Sequence, residues 1–188
     1  LAGLGEAPAS SDLPAVAHEH LRSDVLVAGA GPAGLMAALT AARNGARVVL
    51  VARSREQVAS VATSIRAAGG EALEHPCDVS EEAEVRSLFK IVQDQLGPVD
   101  LLINNAATFV RADFESHSLE EWERVMAVNV RGPFLCSREA FAHFRKAGRG
   151  GAIVNISSLG GIRGTEKFPG LSSYVTSKFA VVGLTESL

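Results

Sequence analysis

The chain has 188 residues, of which 47% are hydrophobic, and this length favours one domain with a single sizeable core. Its formal net charge is -3 and no run of basic residues stands out, which argues against nucleic acid as a partner. Because no apolar stretch reaches roughly 20 residues and the N-terminus lacks the pattern of a secretion signal, the sequence predicts a soluble, cytoplasmic protein with no membrane partner.

Residues 1–22 mix Ala, Pro, Ser, Gly and His without a sustained period, and we interpret them as a flexible tail. From residue 23 onward, near-continuous aliphatic runs alternate with stretches of helical period, which predicts one domain over 23–188. This alternation is typical of a parallel sheet covered by helices, so the predicted fold class is α/β, a doubly wound Rossmann fold. The predicted strands are 24–28, 47–51, 71–75, 99–103 and 152–156. The predicted helices are 33–44, 55–68, 81–96, 119–146 and the segment from 172 to the end.

Several of the predicted helices have recognisable ends. Two begin with the spacing of a capping box, in which the N-cap side chain and the side chain three residues later satisfy each other's backbone amides. These pairs are Ser54 with Gln57 and Ser118 with Glu121. Three helices are followed by a glycine, the residue that most easily adopts the left-handed conformation there: Gly45, Gly69 and Gly97. Aromatic residues at helical spacing in 119–146 indicate packing rather than a site: Trp122, Phe134, Phe141 and Phe144.

The first predicted strand runs into the glycine-rich turn Gly29-Ala30-Gly31-Pro32-Ala33-Gly34. A turn of this kind, placed between a strand and a helix, brings bare backbone against a pyrophosphate at the N-terminus of the helix. We therefore assign Gly29, Gly31 and Gly34 to cofactor binding. The alternative is a tight turn whose glycines serve packing alone.

The second predicted strand ends in Val51-Ala52-Arg53-Ser54. At this position an NAD-binding or FAD-binding unit usually places an acidic residue on the ribose hydroxyls. Arg53 instead offers a fork of donors that suits a 2′-phosphate, so the predicted cofactor is NADP(H), with NAD(H) as the second choice. Ser54 is assigned to the same site. The alternative is that Arg53 is an ordinary solvated arginine.

Further motifs follow in chain order. Cys77-Asp78-Val79 comes after the third strand, Asn104-Asn105-Ala106-Ala107 after the fourth, and Asn129 lies within a predicted helix. The fifth strand runs into Ser157-Ser158, and the last helix carries Tyr174 and Lys178. Together these motifs resemble the short-chain dehydrogenase/reductase family over roughly residues 47–188. The resemblance implies an oxidoreductase that transfers a hydride between a nicotinamide and a small-molecule carbonyl or secondary alcohol.

Tyr174 and Lys178 are four residues apart, so their side chains share one face of the helix. A neighbouring cation favours the phenolate and lowers the pKa of a tyrosine from about 10 toward the working range. The resemblance implies that Tyr174 exchanges a proton with the substrate oxygen, that Ser158 donates a hydrogen bond to it and that Ser157 supports Ser158. It also implies that Lys178 binds a ribose hydroxyl and that Asn129 holds a water in the proton relay.

The resemblance also implies contacts with the cofactor. Asp78, next to Val79, caps the amino group of the adenine, although a helix-start role is an alternative for this carboxylate. Asn105, Ala106 and Ala107 border the nicotinamide ribose, with Ala107 departing from the NNAG pattern of the family by one methyl group. The segment 159–173 is somewhat long for the family.

Two departures limit the resemblance. The glycine turn is one residue shorter than the TGxxxGxG of the family, and Ala28 replaces its Thr, so residues 24–35 look more like the opening of a flavoprotein monooxygenase. An FAD-binding fragment is therefore one alternative. The chain ends at Leu188, inside the last predicted helix, so we expect a fold incomplete at its C-terminal end with an exposed edge beside the fifth strand. A catalytically idle dinucleotide-binding module is the other alternative, and the full-length form is expected to be a homo-oligomer.

The cysteines and histidines indicate neither a metal site nor a nucleophile. Cys77 and Cys136 lie far apart without CxxC spacing, as expected of small buried side chains in a reducing compartment. The five histidines are scattered or lie in the tail.

Overall fold

The structure is a computed structural model and describes residues 24–188. The tail proposed for 1–22 lies outside the described residues, and the division at residue 22 stays a prediction. The strands are β1 Asp24–Ala28, β2 Arg47–Ala52, β3 Ala72–Pro76, β4 Leu101–Asn104 and β5 Ala152–Asn155. The helices are α1 Pro32–Arg43, α2 Arg55–Ala67, α3 Glu82–Gln95, α4 Leu119–Met126, α5 Gly132–Ala147 and α6 Ser172–Ser187. Over the described range, every helix falls short of the length and apolar character needed to cross a bilayer.

The five strands form one parallel sheet in the order β3-β2-β1-β4-β5. β1 lies at the centre of the sheet, and β2 and β3 follow outward on one side of it. The chain then crosses back, so that β4 and β5 lie on the other side of β1. This reversal is the switch point of a doubly wound α/β fold, and the predicted fold class is confirmed.

Apolar side chains cover both faces of the central strands. Leu26, Val49 and Leu102 pack on the face covered by α3 and α5, and Val25 and Leu50 pack on the face covered by α1 and α2. Such burial on both faces explains why β1 and β2 are continuous aliphatic runs. The helices cover the two faces of the sheet. The carboxyl ends of β1 and β4, with the turns that follow them, stay open at its edge.

The predicted helix 119–146 is two helices, because a π-helical turn at Ala127–Arg131 separates α4 from α5. Pro133 has no N–H to donate to the carbonyl four residues earlier, so a regular α-helix cannot run through this point. The backbone widens instead, and Gly132 N donates to Ala127 O. Residues 119–147 are nonetheless helical throughout, so the predicted extent is confirmed and only the π-helical turn inside it was not predicted.

The predicted helix ends are partly confirmed. Ser118 forms the capping box, with Glu121 N 3.2 Å from Ser118 Oγ. At α2 the prediction was wrong, since the Ser54 side chain makes no cap hydrogen bond and Gln57 is exposed at the cleft described below. The three glycines that follow helices all have positive φ, as predicted: Gly45, Gly69 and Gly97.

The fifth strand lies at the edge of the sheet and is less buried than predicted. Only β4 pairs with it among the described strands, which confirms the expected exposed edge. Ala152 and Val154 are exposed, because no described helix covers the face of β5 that continues the α1 and α2 side of the sheet. On α5, Phe144 is buried as predicted, whereas Phe134 is 48% exposed and does not belong to the core.

Candidate active site

The carboxyl ends of the central strands meet at one edge. Ala28 pairs with Asn104, and Asn104 pairs with Asn155, so the segments that follow β1, β4 and β5 leave the sheet side by side. A cleft of about 420 Å3 opens along this edge. It is lined by the glycine turn and by the ends of β2, β3 and β4, including Gly29, Gly31, Arg53, Asp78, Val79, Asn105, Ala106 and Ala107.

The three glycines of the turn differ in what a side chain would meet. A Cβ on Gly29, whose φ is +119°, would lie 2.3 Å from Ala106 N, and one on Gly34 would lie 2.2 Å from Gly29 O. Packing within the protein therefore requires both glycines. The nearest atom to a Cβ on Gly31 would be Asn105 Nδ2 at 3.5 Å, which is ordinary contact. Packing therefore does not require a glycine at position 31, which lies in the lining of the cleft.

The N-terminus of α1 opens into this cleft without a side chain to satisfy it. Its N-cap is Gly31, which offers no side-chain acceptor, and the first turn holds no acidic residue. The free amides and the positive end of the helix dipole suit an anion such as a pyrophosphate. Asn105 Nδ2 donates to Gly29 O at 3.1 Å and so fixes the turn from below.

Arg53 and Asp78 are the charged residues that line the cleft in the described part of the chain. Arg53 is exposed and makes no hydrogen bond or ion pair with any residue of 24–188. Ser54, next to it, is half-buried. Asp78 Oδ1 accepts from the amide and the hydroxyl of Ser80, at 2.9 and 2.7 Å, in the turn before α3. One carboxylate oxygen thus serves the helix start while the residue borders the cleft, so the two alternatives for Asp78 are compatible.

Ser158, Tyr174 and Lys178 lie together at this edge. A Cβ on Gly160 would be 3.6 Å from Ser158 Oγ and 3.7 Å from Tyr174 Cε1, so the hydroxyl and the phenol ring border the same point. Lys178 Nζ lies 5.6 Å from the centre of the Tyr174 ring. Ser158 Oγ accepts from Gly160 N at 3.1 Å, and within 24–188 its own hydrogen has no acceptor. The structure therefore brings together the three groups that the sequence separated by up to 20 residues.

Lys178 is buried, with 3% of its surface exposed, and its Nζ donates to Ile156 O at 2.7 Å. Burial lowers the pKa of this ammonium from its ordinary value, because the charged form loses hydration. Ser157 Oγ donates to Lys178 O at 3.1 Å, and Gly161 leaves room for this contact. Ser157 thus ties the end of β5 to the backbone of α6 beside the catalytic candidates.

Asn129 lies in the π-helical turn and is 1% exposed. Its Oδ1 accepts from Thr108 N at 2.8 Å, while its Nδ2 donates to Thr108 O at 2.8 Å and to Ser177 Oγ at 2.9 Å. Both amide hydrogens are used within the protein. The side chain therefore joins the segment after β4 to Ser177 on α6, and the Ser177 hydroxyl in turn donates to Tyr174 O at 2.7 Å.

The sequence reasoning missed Thr108, Phe109 and Ser177. Ser177 lies three residues after Tyr174, on the same helical face, and that spacing could have indicated it. Thr108 and Phe109 directly follow the motif after β4 but belong to no pattern of their own. Phe109 makes an edge contact with the Tyr174 ring, with ring centres 6.3 Å apart.

The cysteines behave as buried packing residues. Burial raises the pKa of both Cys77 and Cys136 to about 12, so neither thiol provides a thiolate near neutral pH. Both are free thiols.

A family model described as short chain dehydrogenase matches residues 23–188. The chain belongs to the short-chain dehydrogenase family. It is 40% identical over 157 residues to a 3beta-hydroxysteroid dehydrogenase from Mediterraneibacter gnavus, in an alignment covering 82% of this chain and 55% of that protein. The chain thus spans little more than half the length of this relative.

Solved structures of the short-chain dehydrogenase family share the fold. A short-chain type dehydrogenase/reductase from Mycobacterium marinum superposes with a TM-score of 0.83 at 34% identity, over 88% of this chain and 65% of that one. A metagenomic short-chain oxidoreductase in complex with NADP gives a TM-score of 0.82 at 33% identity, over 89% and 76%. The family match includes the glycine turn, so it extends further toward the N-terminus than the motifs over 47–188 indicated.

Proposed function

We propose that this chain carries the dinucleotide-binding and catalytic residues of an NADP(H)-dependent oxidoreductase that acts on a carbonyl or secondary alcohol. The observation that carries the proposal is the group of Ser158, Tyr174 and Lys178, which follows β5 at the same edge of the sheet as the cleft. A hydroxyl with an unused hydrogen, a phenol and a buried ammonium can polarise a carbonyl and move one proton at its oxygen. The name of the 3beta-hydroxysteroid dehydrogenase relative, which refers to a hydroxyl compound, supports the same reaction class.

The cleft suits a dinucleotide along its whole length. Gly31 and the N-terminus of α1 would take the pyrophosphate, and Asp78 with Val79 would border the adenine. Arg53 with Ser54 would meet a 2′-phosphate, which is why we propose NADP(H) over NAD(H). Asn105, Ala106 and Ala107 would border the nicotinamide ribose. Among the described residues no non-glycine residue has positive φ, so the methyl group of Ala107 adds no backbone strain.

The protein's own groups would handle the substrate oxygen. In reduction, the Tyr174 hydroxyl donates a proton to that oxygen, and in oxidation the phenolate accepts it. Ser158 donates a hydrogen bond to the same oxygen and stabilises the negative charge that develops there. Lys178 would bind a ribose hydroxyl. When bound, the nicotinamide would supply or accept the hydride at the carbon.

Two other functions have support in the molecule. A catalytically idle dinucleotide-binding module would use the cleft alone, without the group of Ser158, Tyr174 and Lys178. An FAD-binding fragment is favoured only by the form of the glycine turn, and the absence of an acidic residue directly after β2 argues against it.

One experiment separates the three functions. Thermal unfolding of the purified chain is measured with NADPH, NADH or FAD, and NADPH oxidation is followed with a panel of ketones. The proposal predicts the largest thermal protection by NADPH, together with oxidation that depends on the ketone. Protection without turnover would establish the idle module, and protection by FAD with a yellow preparation would establish the flavin fragment.

We further propose that the full-length protein acts in the cytoplasm on a small-molecule substrate and is a homo-oligomer. The exposed apolar side chains of β5, α5 and α6 support association, since such surfaces are seldom left open: Val154, Phe134 and Phe179. Light scattering of the full-length protein tests this, and a monomer at all concentrations would contradict it.

A further inference from the structure

We propose that Phe109 is a specificity-determining residue and that the substrate is a bulky apolar ketone or alcohol whose apolar part lies against the Phe109 side chain. The inference rests on the proposed function, because it takes Tyr174 as the group that meets the reacting oxygen.

The first support is the position of the Phe109 ring. Its centre lies 6.3 Å from the centre of the Tyr174 ring, at an interplanar angle of 75°. One side of Phe109 thus touches the phenol, yet 64% of the residue remains exposed. A phenylalanine that served packing alone would bury its ring, since that is where its stabilisation comes from. The exposed ring is available to the substituents of a carbonyl compound bound at Tyr174.

The second support is the apolar character of the two segments around Tyr174. Residues 105–118 and 156–171 are joined by a hydrogen bond from Ala112 N to Gly170 O at 3.0 Å. Exposed large apolar side chains concentrate here, so the segments form an apolar rim rather than an ordinary polar surface. The members on these two segments are Phe109, Phe114, Ile156, Leu159, Ile162 and Phe168.

The third support is the balance of charge on these two segments. Lys167 Nζ donates to the carbonyl oxygens of Leu159 and Ile162, so this ammonium holds the turn after β5. Arg111 and Arg163 are exposed on the two segments, which carry as many carboxylates as cations, namely Asp113, Glu115 and Glu166 against Arg111, Arg163 and Lys167. The rim therefore offers little to an anionic substrate, which favours a neutral apolar one.

The test compares three ketones on the wild type and on Phe109→Ala, Phe109→Leu and Arg111→Ala. The ketones are the bicyclic 2-decalone, the small neutral 2-butanone and the small anion acetoacetate. Binding is measured by calorimetry with saturating NADP+, which cannot reduce a ketone, so affinity is read without turnover. Where turnover is found, the ratio of kcat/KM for 2-decalone over 2-butanone is measured as well with NADPH.

We expect 2-decalone to bind more tightly than either small ketone. Phe109→Ala should weaken 2-decalone binding by roughly tenfold, and Phe109→Leu by roughly threefold, because leucine keeps apolar surface but no ring. Arg111→Ala should keep the wild-type preference. Equal loss for 2-decalone and 2-butanone in Phe109→Ala, or no loss for either, would overturn the inference. Preferred binding of acetoacetate that Arg111→Ala abolishes would overturn it in favour of an anionic substrate.

The proposed reaction and the proposed role of Phe109 can be rejected separately. If 2-decalone binds with the expected dependence on Phe109 but no ketone is reduced, the reaction is wrong and the apolar site stands. If 2-butanone is reduced and 2-decalone shows no dependence on Phe109, the reaction stands and this inference is wrong.

Discussion

A comparison of Gly31→Ala with Gly34→Ala separates a glycine that a bound pyrophosphate requires from a glycine that the fold requires. A Cβ on Gly31 would meet its nearest neighbour at 3.5 Å, and the φ of -66° and ψ of 163° there suit any L-residue. Losing glycine at an N-cap costs up to about 1 kcal/mol, and reduced entropy of the unfolded chain offsets this by about 0.4–1 kcal/mol. The free energy of unfolding of Gly31→Ala should therefore stay within about 1 kcal/mol of the wild type.

Gly34→Ala should behave differently. Its Cβ would lie 2.2 Å from Gly29 O and 2.6 Å from Asn105 Nδ2, and the first of these atoms is backbone that cannot move away cheaply. Overpacking of this kind costs about 1–3 kcal/mol or more, which exceeds the about 1 kcal/mol that alanine gains in helix propensity. We expect a clear loss of stability that does not require any ligand.

For stability we expect the larger loss in Gly34→Ala, whereas for cofactor binding Gly31→Ala should show a clear loss of its own. In Gly31→Ala, the new methyl group faces the open cleft, so the affinity for NADPH should fall by at least about tenfold, or 1.4 kcal/mol, in a protein of near wild-type stability. Urea unfolding followed by the fluorescence of the single tryptophan, Trp122, gives the stability, and titration with NADPH gives the affinity. Wild-type affinity in Gly31→Ala would refute the assignment of this turn to the pyrophosphate.

Three more predictions follow from single side chains. Arg53→Ala should weaken NADPH binding by roughly ten- to a hundredfold and leave NADH binding unchanged, because only NADPH carries the 2′-phosphate. Parallel titrations measure both affinities, and equal losses would contradict a contact between Arg53 and the 2′-phosphate. Asn129→Ala should lower the free energy of unfolding by about 2–4 kcal/mol in urea, because a buried side chain loses three hydrogen bonds. An unchanged midpoint would contradict the proposed link to α6. The pKa of Lys178 is lowered in the fold. Between that pKa and the ordinary value of about 10.4, the unfolded chain therefore binds more protons than the native protein. Over this range the free energy of unfolding of the wild type should rise with pH relative to that of Lys178→Met. Parallel curves of the free energy of unfolding against pH for these two proteins would contradict the lowered pKa of the buried Lys178.

The sequence was a sufficient guide wherever burial decides the structure. All five strands were predicted to within two residues. For β1 and β2 the reason is that a parallel strand buried on both faces leaves an uninterrupted aliphatic run. The capping box at Ser118 was predicted for a similar reason, since its two side chains act only on neighbouring amides. The same local pattern failed at Ser54, where Gln57 lies at the open cleft instead of reaching back to the helix start.

Features that depend on long-range contacts were harder to predict. The break at Ala127–Arg131 arises from Pro133 in a segment whose period is otherwise helical. The exposure of β5 depends on what lies beside it, which its own aliphatic residues do not reveal. At the candidate site, the motif residues were found by their order and spacing. Phe109 was missed because its contact with Tyr174 joins segments 65 residues apart in the chain.

The central claim is that the phenol of Tyr174 moves the proton at the substrate oxygen. Tyr174→Phe removes one hydroxyl and keeps the ring that packs on Phe109, so NADPH affinity, measured by titration, should stay within about twofold of the wild type. The value of kcat for ketone reduction should fall by about a hundred- to ten-thousandfold, the usual contribution of a positioned acid. Undiminished kcat in Tyr174→Phe would contradict the assignment of the proton to this residue.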